Sequence, residues 1–372
     1  MTLLGRELRL EPRARPPTWS RVGLPLGSVL TAALLGGVFL AVSGHDAVLA
    51  YRTMLDSAFG GRFAIGETLV ESAPLILTGA SVAVAFSLLL FNVGAEGQLY
   101  LGAITSAAVA LVFGEQLPPA VILPLGLLAG AVGGALFALL AAVPRAYLAT
   151  SEIVVTLMLN FVALNLLNYL IFGGPSIFRD PVVLLFPKGR PIPAAARIPI
   201  LSERVNAGIL IAVVLVVAVW FLMRSTRWGF EVWLVGDSPG AARYAGVNLR
   251  RKIVEAFLLS GALAGVAGAI IVMGRLGSLE PRAIVSNYGY MGILVAALAR
   301  LNPLAVVPVG ILIAAMRTAG PSMQRVGVPD DIVLMLQGLV LVLVVVGEFL
   351  LRYRVRVARR PGPAVPAAQE TP

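Results

Sequence analysis

The amino-acid sequence predicts an all-α, polytopic membrane protein with about ten transmembrane helices. Of the 372 residues, 58% are hydrophobic and only 13% are charged, and the mean hydropathy is +0.91. These values lie far outside the usual composition of soluble globular domains. Apolar runs of about 20 residues also recur along the chain, and a helix of that length crosses the hydrocarbon layer of a bilayer. Burial in a core does not require such long runs, so we predict a helical bundle in a membrane.

The apolar runs divide the chain into ten predicted spans. They cover approximately residues 22–43, 69–90, 97–114, 119–143, 152–173, 206–223, 253–274, 285–300, 303–319 and 331–351. The eighth and ninth spans are short and closely joined, which leaves the count open by one. The first span is longer than the apolar region of a secretory signal peptide, and no convincing small-residue cleavage site follows it. We therefore expect it to be a retained helix.

The basic residues predict which segments face the cytoplasm. An arrangement with both termini inside puts 18 of the 29 Lys and Arg residues on the cytoplasmic side, in agreement with the positive-inside bias. The chain then divides into a basic cytoplasmic N-terminus (1–21), a transmembrane domain (22–351) and a cytoplasmic tail (352–372) that we expect to be disordered, since it is rich in Pro and Ala. A basic loop at 224–252 faces the cytoplasm. A proline-rich loop at 174–205 faces the outside and is expected to be structured.

The composition excludes several kinds of chemistry. The chain has no cysteine and a single histidine, His45, which excludes disulfides and thiol chemistry and argues against a metal site built from these residues. We predict no bound metal. The net charge of +10 agrees better with the charge bias of cytoplasmic loops than with a nucleic-acid partner, and we expect none. No catalytic constellation is present, so we predict that the chain is not an enzyme.

The sequence lacks an ATP-binding P-loop. The lysine of that motif follows glycine and precedes Ser or Thr, but the two lysines of this chain, Lys188 and Lys252, lie in other contexts. An ATP-driven role would require a partner chain that binds ATP and Mg²⁺, and we predict no cofactor in this chain. Ion-coupled carriers usually have carboxylates at mid-membrane. The carboxylates assigned positions near span ends are Glu71, Glu96, Glu152, Glu255 and Glu348, so ion coupling has weak support.

The cytoplasmic stretch VGDSPGAARYAGVNLRRK, residues 235–252, predicts a short helix. Asp237 or Ser238 can cap it, because their side chains accept hydrogen bonds from the first backbone amides of a helix. Pro239 suits the first helical position, and Gly246 can end the helix in a left-handed conformation. Two interpretations stay open. The helix either docks another protein through its small residues, or it is an ordinary loop helix whose arginines set the topology.

Polar side chains inside or beside the spans are candidates for a substrate pathway. A charged residue at the centre of a span costs roughly 2.5–3.5 kcal/mol, so such groups face protein or water. The candidates for a pathway or gate are Asn92, Glu96, Gln98, Asn160, Asn168, Asn287, Tyr288 and Tyr290. Asn160 and Asn168 share a broad face of one helix. Amides and tyrosines hydrogen-bond hydroxyls and base edges, which suits a small neutral substrate. The alternative is that they bond neighbouring helices together.

The stretch FNVGAEGQLYLG, residues 91–102, interrupts two apolar runs with three glycines and three polar side chains. Glycine lets the backbone turn tightly, and Asn92, Glu96 and Gln98 can satisfy the freed backbone groups or hold adjacent helices. We predict a re-entrant segment on the cytoplasmic side that acts first as a gate or hinge. Direct substrate contact is the alternative.

Three motifs in this order resemble one family. GDSPGAARYAGVN followed by AFLLSGALAGVAGAI is similar to the coupling loop and next span of permease subunits in bacterial ABC importers. FNVGAEGQLYLGA and GGPSIFRD resemble the nucleoside and simple-sugar branch of the branched-chain amino acid and ribose-type permeases, over roughly residues 65–350. On this resemblance the residues that couple to an ATPase are Asp237, Ser238, Pro239, Gly240, Ala241, Ala242, Arg243, Tyr244, Ala245 and Gly246. Gly240 stands where many such permeases carry glutamate, so the contact there departs from the pattern.

The resemblance implies a permease subunit of an ATP-driven importer that moves a nucleoside or simple sugar by alternating access. It also implies three protein partners: a second permease chain, identical or different, a cytoplasmic ATPase subunit that hydrolyses the ATP, and an extracytoplasmic substrate-binding protein. The expected location is the bacterial plasma (inner) membrane, as a multi-pass protein in contact with lipid. The alternative is an ion-coupled secondary carrier that acts without an ATPase.

Overall fold

The computed structural model describes residues 2–3, 6–12, 20–183 and 187–359, and most of these residues are helical. The first helices are α1 (Ser20–Val42), α2 (Ala47–Phe59), α3 (Arg62–Phe86), α4 (Ala95–Phe113), α5 (Pro119–Leu148), α6 (Glu152–Phe172), α7 (Gly208–Ser225), α8 (Arg227–Asp237) and α9 (Pro239–Tyr244). They are followed by α10 (Leu249–Ile270), which continues as a π-helical segment (Ile271–Leu276), and by α11 (Pro281–Ile284), α12 (Tyr288–Leu298), α13 (Pro303–Thr318), α14 (Gly320–Arg325) and α15 (Asp330–Arg352). The strands are β1 (Thr2–Leu3), β2 (Arg6–Pro12), β3 (Ile200–Ser202), β4 (Val205–Asn206) and β5 (Tyr353–Arg359).

Seven of the described helices are long and apolar enough to cross a membrane. They are α3, α4, α5, α6, α7, α10 with its π-helical segment, and α13 continued by α14. Helices α1 and α15 contain shorter apolar stretches. A helix lies within each predicted span, but the predicted count of ten is not confirmed. The clearest departure is α12, whose 11 residues extend only about 16 Å, roughly half the thickness of the hydrocarbon layer.

Helix α3 is the central helix of the bundle. Every side chain from Val70 to Ala85 is buried, because α3 packs against α7, α10, α12 and α13. Its polar side chains bond across the core: Ser81 Oγ lies 2.9 Å from Ser260 Oγ of α10, and Thr78 Oγ1 donates to the carbonyl oxygen of Tyr288 at 3.0 Å. A helix that is enclosed on all sides can carry such groups at little cost, since each has a partner.

Helices α5 and α10 cross with their backbones in contact. A Cβ atom on Gly265 would meet the carbonyl oxygen of Gly130, and one on Gly134 would meet the carbonyl oxygen of Gly261. Small residues spaced four apart are the usual means of bringing two membrane helices this close. The glycines at this crossing therefore serve close packing.

The two long loops lie at opposite ends of α3. Gly66, near its first residue, faces Val205 and Arg204 of the loop that follows α6. Gly236 of α8 faces the backbone of Ser87, just after the last residue of α3. The two ends of a 25-residue helix are about 36 Å apart. The loops predicted to face opposite sides of the membrane are therefore separated by the length of the bundle.

The loop at 187–206 is structured, as expected. It contains a 3₁₀ turn at Ala194–Ala196 and the β3–β4 hairpin. Its backbone is bonded to the π-helical segment, because Ile198 N donates to the carbonyl oxygen of Met273 at 2.9 Å. The Asn206 side chain also donates to the carbonyl oxygen of Gly274 at 2.7 Å. Residues 184–186 of the predicted loop lie outside the described residues.

The chain termini meet in a small antiparallel sheet. Strand β2 pairs with β5 in the register Arg6 to Arg359 and Pro12 to Tyr353, and β1 pairs with β2. The prediction of disorder for 352–372 is therefore wrong for β5. The sequence of β5, YRVRVAR, alternates polar and apolar residues as a strand does, whereas the Pro/Ala-rich composition on which the prediction rested belongs to the later part of the tail. Residues 360–372 lie outside the described part of the chain.

Candidate functional site

The polar residues of the stretch 91–102 form a closed, buried cluster. Asn92 is fully buried, and its amide nitrogen donates to Gln98 Oε1 at 3.0 Å and to Ser260 Oγ at 2.8 Å. Gln98 Nε2 donates back to Asn92 Oδ1 at 3.1 Å, and the same oxygen accepts the backbone N–H of Gly94 at 3.0 Å. Such reciprocal bonds satisfy both amides within the protein. They fix the turn between α3 and α4 against α10.

Glu96 joins the start of α4 to the start of α12. Its side chain is 1% exposed; Oε1 accepts the hydroxyl of Tyr100 at 2.6 Å, and Oε2 accepts the backbone N–H of Gly289. Gly289 is required here because a Cβ atom would meet the backbone of Glu96. A carboxylate that accepts bonds at both oxygens and sits at two helix N-termini is stabilised there by the helix dipoles.

Asn160 extends this cluster, whereas Asn168 does not. Asn160 Nδ2 donates to the hydroxyl of Tyr290 and to the carbonyl oxygen of Val93, both at 3.0 Å, and its Oδ1 accepts the N–H of Gly97 at 2.9 Å. Asn168 lies two turns further along α6 and is half-buried. The two residues lie about 80° apart around the helix and about 12 Å apart along its axis, so they do not form one site.

A second cluster lies nearer the other end of α3, around a buried carboxylate. Glu71 is 4% exposed, and its Oε1 accepts the hydroxyl of Tyr288 at 2.8 Å and Nε–H of Arg317 at 2.9 Å. Its Oε2 forms an ion pair with Arg275. The expectation that Glu71 lies at a span end is wrong. Helix α3 begins at Arg62, so Glu71 is its tenth residue, about 14 Å inside.

The two arginines are held by further contacts. Arg317 donates to the carbonyl oxygen of Ser286 at 2.8 Å, and its guanidinium lies 4.6 Å from the centre of the Tyr288 ring. Arg275 donates to the Tyr288 hydroxyl at 2.5 Å, and 4.0 Å separate it from Glu67. Four helical segments therefore meet at this ion network: α3, the π-helical segment, α12 and α13. Its hydrogen bonds are strong because they involve charged groups.

This ion network forms the wall of a cavity of about 510 Å³. Its lining includes Glu67, Glu71, Arg275, Leu276, Ala283, Ser286, Asn287, Arg317, Thr318, Pro321, Leu334 and Gln337. Asn287 was predicted as a pathway residue, and it is exposed here in a left-handed conformation. Gln337 of α15 is fully buried, and neither polar atom of its amide has a hydrogen-bond partner among the described residues.

Sequence reasoning missed most of this cavity. None of Arg275, Arg317 and Gln337 was a candidate: the predicted spans put the two arginines at the outer ends of the seventh and ninth spans and Gln337 within the tenth. One available signal was the spacing of Glu67 and Glu71, which puts two carboxylates on the same face of one helix. Another was Gly60–Gly61, which marks the start of α3 seven residues before the predicted start.

The opposite end of the bundle carries the predicted short helix. Helix α9 begins at Pro239, and Ser238 caps it by accepting the N–H of Ala241 at 3.4 Å. Gly246 follows in the left-handed region with φ +77°, so the predicted capped helix is confirmed. Tyr244 is 96% exposed and available for contact. The preceding amphipathic helix, α8, was not predicted.

An ion cluster fixes α8 to the first turn of α10. Lys252 Nζ lies 2.9 Å from Glu231 of α8 and 2.8 Å from Glu255 of α10. Trp228 Nε1 donates to Glu255 at 2.8 Å. The hydrogen bond with Lys252 lowers the pKa of Glu231 below its ordinary value. Because α9 follows α8 directly, this clamp connects the exposed short helix to the long helix α10.

Comparison with known proteins agrees with this architecture. Residues 64–345 match the family described as branched-chain amino acid transport system / permease component. The glucose ABC transporter permease protein TsgB13 of Haloferax volcanii is 37% identical over 95% of this chain and 94% of its own length. The nucleoside ABC transporter permease protein NupB of Lactococcus lactis is 31% identical over 84% of this chain and 87% of its own length. The guanosine ABC transporter permease protein NupP of Bacillus subtilis is 31% identical over 84% of this chain and 90% of its own length.

The family match covers most of the chain, including the central helix α3, the buried amide cluster, the clamped α8–α9 element and the cavity around Glu71. Relatives that align over nearly their full length are transport subunits by name. A multi-pass helical bundle with these features is what such a subunit requires. This chain belongs to the branched-chain amino acid transport system permease family.

Proposed function

We propose that this chain is the transmembrane permease subunit of an ATP-driven importer for a simple sugar or nucleoside. The observation that carries the proposal is the capped, exposed helix α9 at the end of the bundle opposite the Glu71 cavity. An ATPase subunit that grips α9 would act on the side where the basic loop is expected to face the cytoplasm. The named substrates of the relatives, glucose and guanosine, support the substrate class.

The proposed partners follow from this role. A second permease chain, identical or different, would complete the translocation path, a cytoplasmic ATPase would bind ATP and Mg²⁺, and an extracytoplasmic binding protein would deliver the substrate to the loop at 187–206. The proposed location is the plasma membrane of a bacterium, in contact with lipid. In the proposed cycle, ATP binding and hydrolysis in the partner ATPase move α9 and so alternate the access of the substrate path between the two sides.

The structure offers a physical route for this coupling. The clamp of Lys252 joins α8 to α10, and α10 with its π-helical segment runs without interruption to Arg275. Arg275 lies 26 residues after the first residue of α10, about 39 Å along the axis. A displacement of α9 would therefore reach the cavity through a single continuous helix.

Purification with the ATPase encoded beside the gene tests the proposal. We expect this chain to change the rate of ATP hydrolysis by that ATPase. Tyr244→Ala removes the exposed aromatic contact of α9 and should abolish the change without reducing the amount of protein in the membrane. Tyr169→Ala is the matched control, because Tyr169 is also exposed (68%) but lies on α6. A rate of ATP hydrolysis that is the same with and without this chain would refute the proposal.

The alternative of an ion-coupled carrier depends on carboxylates inside the bundle. Glu71 and Glu96 are both buried there, which is the observation in its favour. Each, however, is bonded to arginine, tyrosine or backbone donors, and such pairing stabilises a fixed charge. This alternative predicts uptake by the chain alone in vesicles with an ion gradient, and loss of that uptake in Glu96→Gln.

A further inference from the structure

We propose that the cavity lined by Glu71, Arg317 and Gln337 is a binding chamber for the transported solute, selective for a neutral molecule with several hydroxyl groups. This inference rests on the proposed function and specifies the site within the permease at which the solute would be held. The cavity of about 510 Å³ falls in the usual size range of small-molecule sites. It lies on the same end of α3 as the loop at 187–206, where a delivered solute would enter.

The charges of the lining favour a neutral ligand. Two carboxylates, Glu67 and Glu71, and two guanidinium groups, Arg275 and Arg317, are the charged side chains of the lining, and their formal charges cancel. They are already paired with one another. An anionic or cationic ligand would bring a charge without a free partner, and that desolvation cost opposes its entry.

The same groups suit hydroxyls. Carboxylate oxygens accept hydrogen bonds from hydroxyls, and guanidinium N–H groups donate to them, so the lining offers both kinds of partner. The lining also includes the side chains of Ser286, Asn287 and Thr318. A polyhydroxylated solute can therefore bond to several walls of the cavity without disturbing the ion pairs.

The amide of Gln337 gives a second, independent observation in favour of a ligand in this cavity. This amide is fully buried at the edge of the cavity, and neither its nitrogen nor its oxygen has a hydrogen-bond partner among the described residues. An unpaired buried amide is costly unless a ligand pairs with it. Neither amide atom is open to the cavity space in this conformation. A rotation of the Gln337 side chain into the cavity would bring one donor and one acceptor to two adjacent hydroxyls of a sugar ring or of the ribose of a nucleoside.

The natural absence of cysteine makes a direct test possible. In the full chain reconstituted in nanodiscs, Ser286→Cys would introduce one small thiol in the cavity wall, and Ser202→Cys would introduce one on the exposed β3 strand as control. The rate of modification by N-ethylmaleimide is measured with D-glucose, guanosine or glucose 6-phosphate present. At ten times the dissociation constant about nine-tenths of the chambers are occupied, so the modification rate should fall about tenfold.

We expect glucose or guanosine to protect Ser286→Cys and not Ser202→Cys, and glucose 6-phosphate to protect neither. Adding Gln337→Leu should raise the half-protecting concentration at least about tenfold, because it removes both the donor and the acceptor of the amide. Adding Asn165→Leu should not, because this exposed amide bonds only within α6. Size-exclusion profiles of all variants establish that they fold.

The outcomes separate this inference from the proposed function. If the chain alters ATP hydrolysis and supports glucose or guanosine uptake while neither solute protects Ser286→Cys, the chamber is refuted and the permease function stands. Equal protection by glucose 6-phosphate, or an unchanged half-protecting concentration in Gln337→Leu, also overturns the chamber as described. If protection is seen but no ATPase responds to the chain, the proposed energy source is refuted and the chamber stands.

Discussion

The sharpest test of the structure is the removal of one charge from the ion network by Glu71→Gln. The wild-type carboxylate is paired with Arg275 and Arg317 and accepts the Tyr288 hydroxyl. The substitution preserves size but removes the shared anion of two guanidinium groups, of which Arg317 is 16% exposed and Arg275 34% exposed. Breaking one side of a buried ion pair costs about 3–5 kcal/mol. We expect about 2 kcal/mol, below that range, because both arginines are partly solvated and Arg317 keeps its bond to the carbonyl oxygen of Ser286.

A matched control lies one helical turn away on the same face of α3. Glu67 also lines the cavity, but its side chain is 29% exposed and its pairs with Arg204 and Arg275 are partly solvated. Exposed pairs contribute about 0–1 kcal/mol, so Glu67→Gln should be close to wild type. The two variants share the helix, the cavity and the chemical change, and they differ in the burial of the carboxylate and in its bonds to Tyr288 and Arg317.

The assay is the thermal midpoint of the detergent-solubilised protein, taken from the monodisperse fraction that remains after heating. Glu71→Gln should lower the midpoint by several degrees, and Glu67→Gln should shift it by no more than about one. Equal shifts for the two variants would refute the reasoning. They would mean that the carboxylate of Glu71 is not the shared counter-ion of the two arginines.

Two further predictions concern packing and pH. Gly265→Ala should destabilise the protein by about 1–3 kcal/mol, because the new Cβ meets the backbone of α5, which no change of rotamer can relieve. Gly338→Ala, at a site with open space around it, should leave the thermal midpoint unchanged or raise it. An equal fall of the thermal midpoint in both variants would contradict the close crossing of α5 and α10. Because its folded-state pKa is lowered, Glu231 adds stability above about pH 4 that is lost as the pH falls through the folded-state value. The thermal midpoint of Glu231→Gln should therefore vary less with pH than that of wild type between pH values of about 5 and 3, and parallel profiles would contradict the clamp to Lys252.

Local rules were sufficient for two features of this protein. The cap, first residue and end of α9 were predicted because Ser238, Pro239 and Gly246 act on their own backbone neighbours. The turn before α4 was predicted because glycines and amides interrupt two long apolar runs. In both cases the residues that decide the conformation lie within about a dozen positions of one another, so the sequence alone contains the relevant contacts.

The ion network could not be found in this way. Arg317 and Glu71 are separated by 246 residues, and no local pattern states that they pair. Each arginine sits near a span end, where a topology charge and a pathway residue have the same sequence signature. The start of α3 was also predicted seven residues late, which moved Glu71 from the interior of the helix to its edge. A boundary error of two turns was enough to hide the site.

If the proposed function is correct, the position of the π-helical segment constrains how a shift of α9 would reach the cavity around Glu71. Helix α10 is held at its start by Lys252 and near its end by Asn206, which donates to the carbonyl oxygen of Gly274. Between these points it packs against α5 through backbone contacts. A shift imposed at the start must therefore move the helix as a body or deform it. Along this helix, all of which the structure describes, the irregular segment is Ile271–Leu276, and π-helical turns are common at functional sites. Because Arg275 belongs to that segment, deformation there would change its pairing with Glu71 before it disturbed the rest of the bundle.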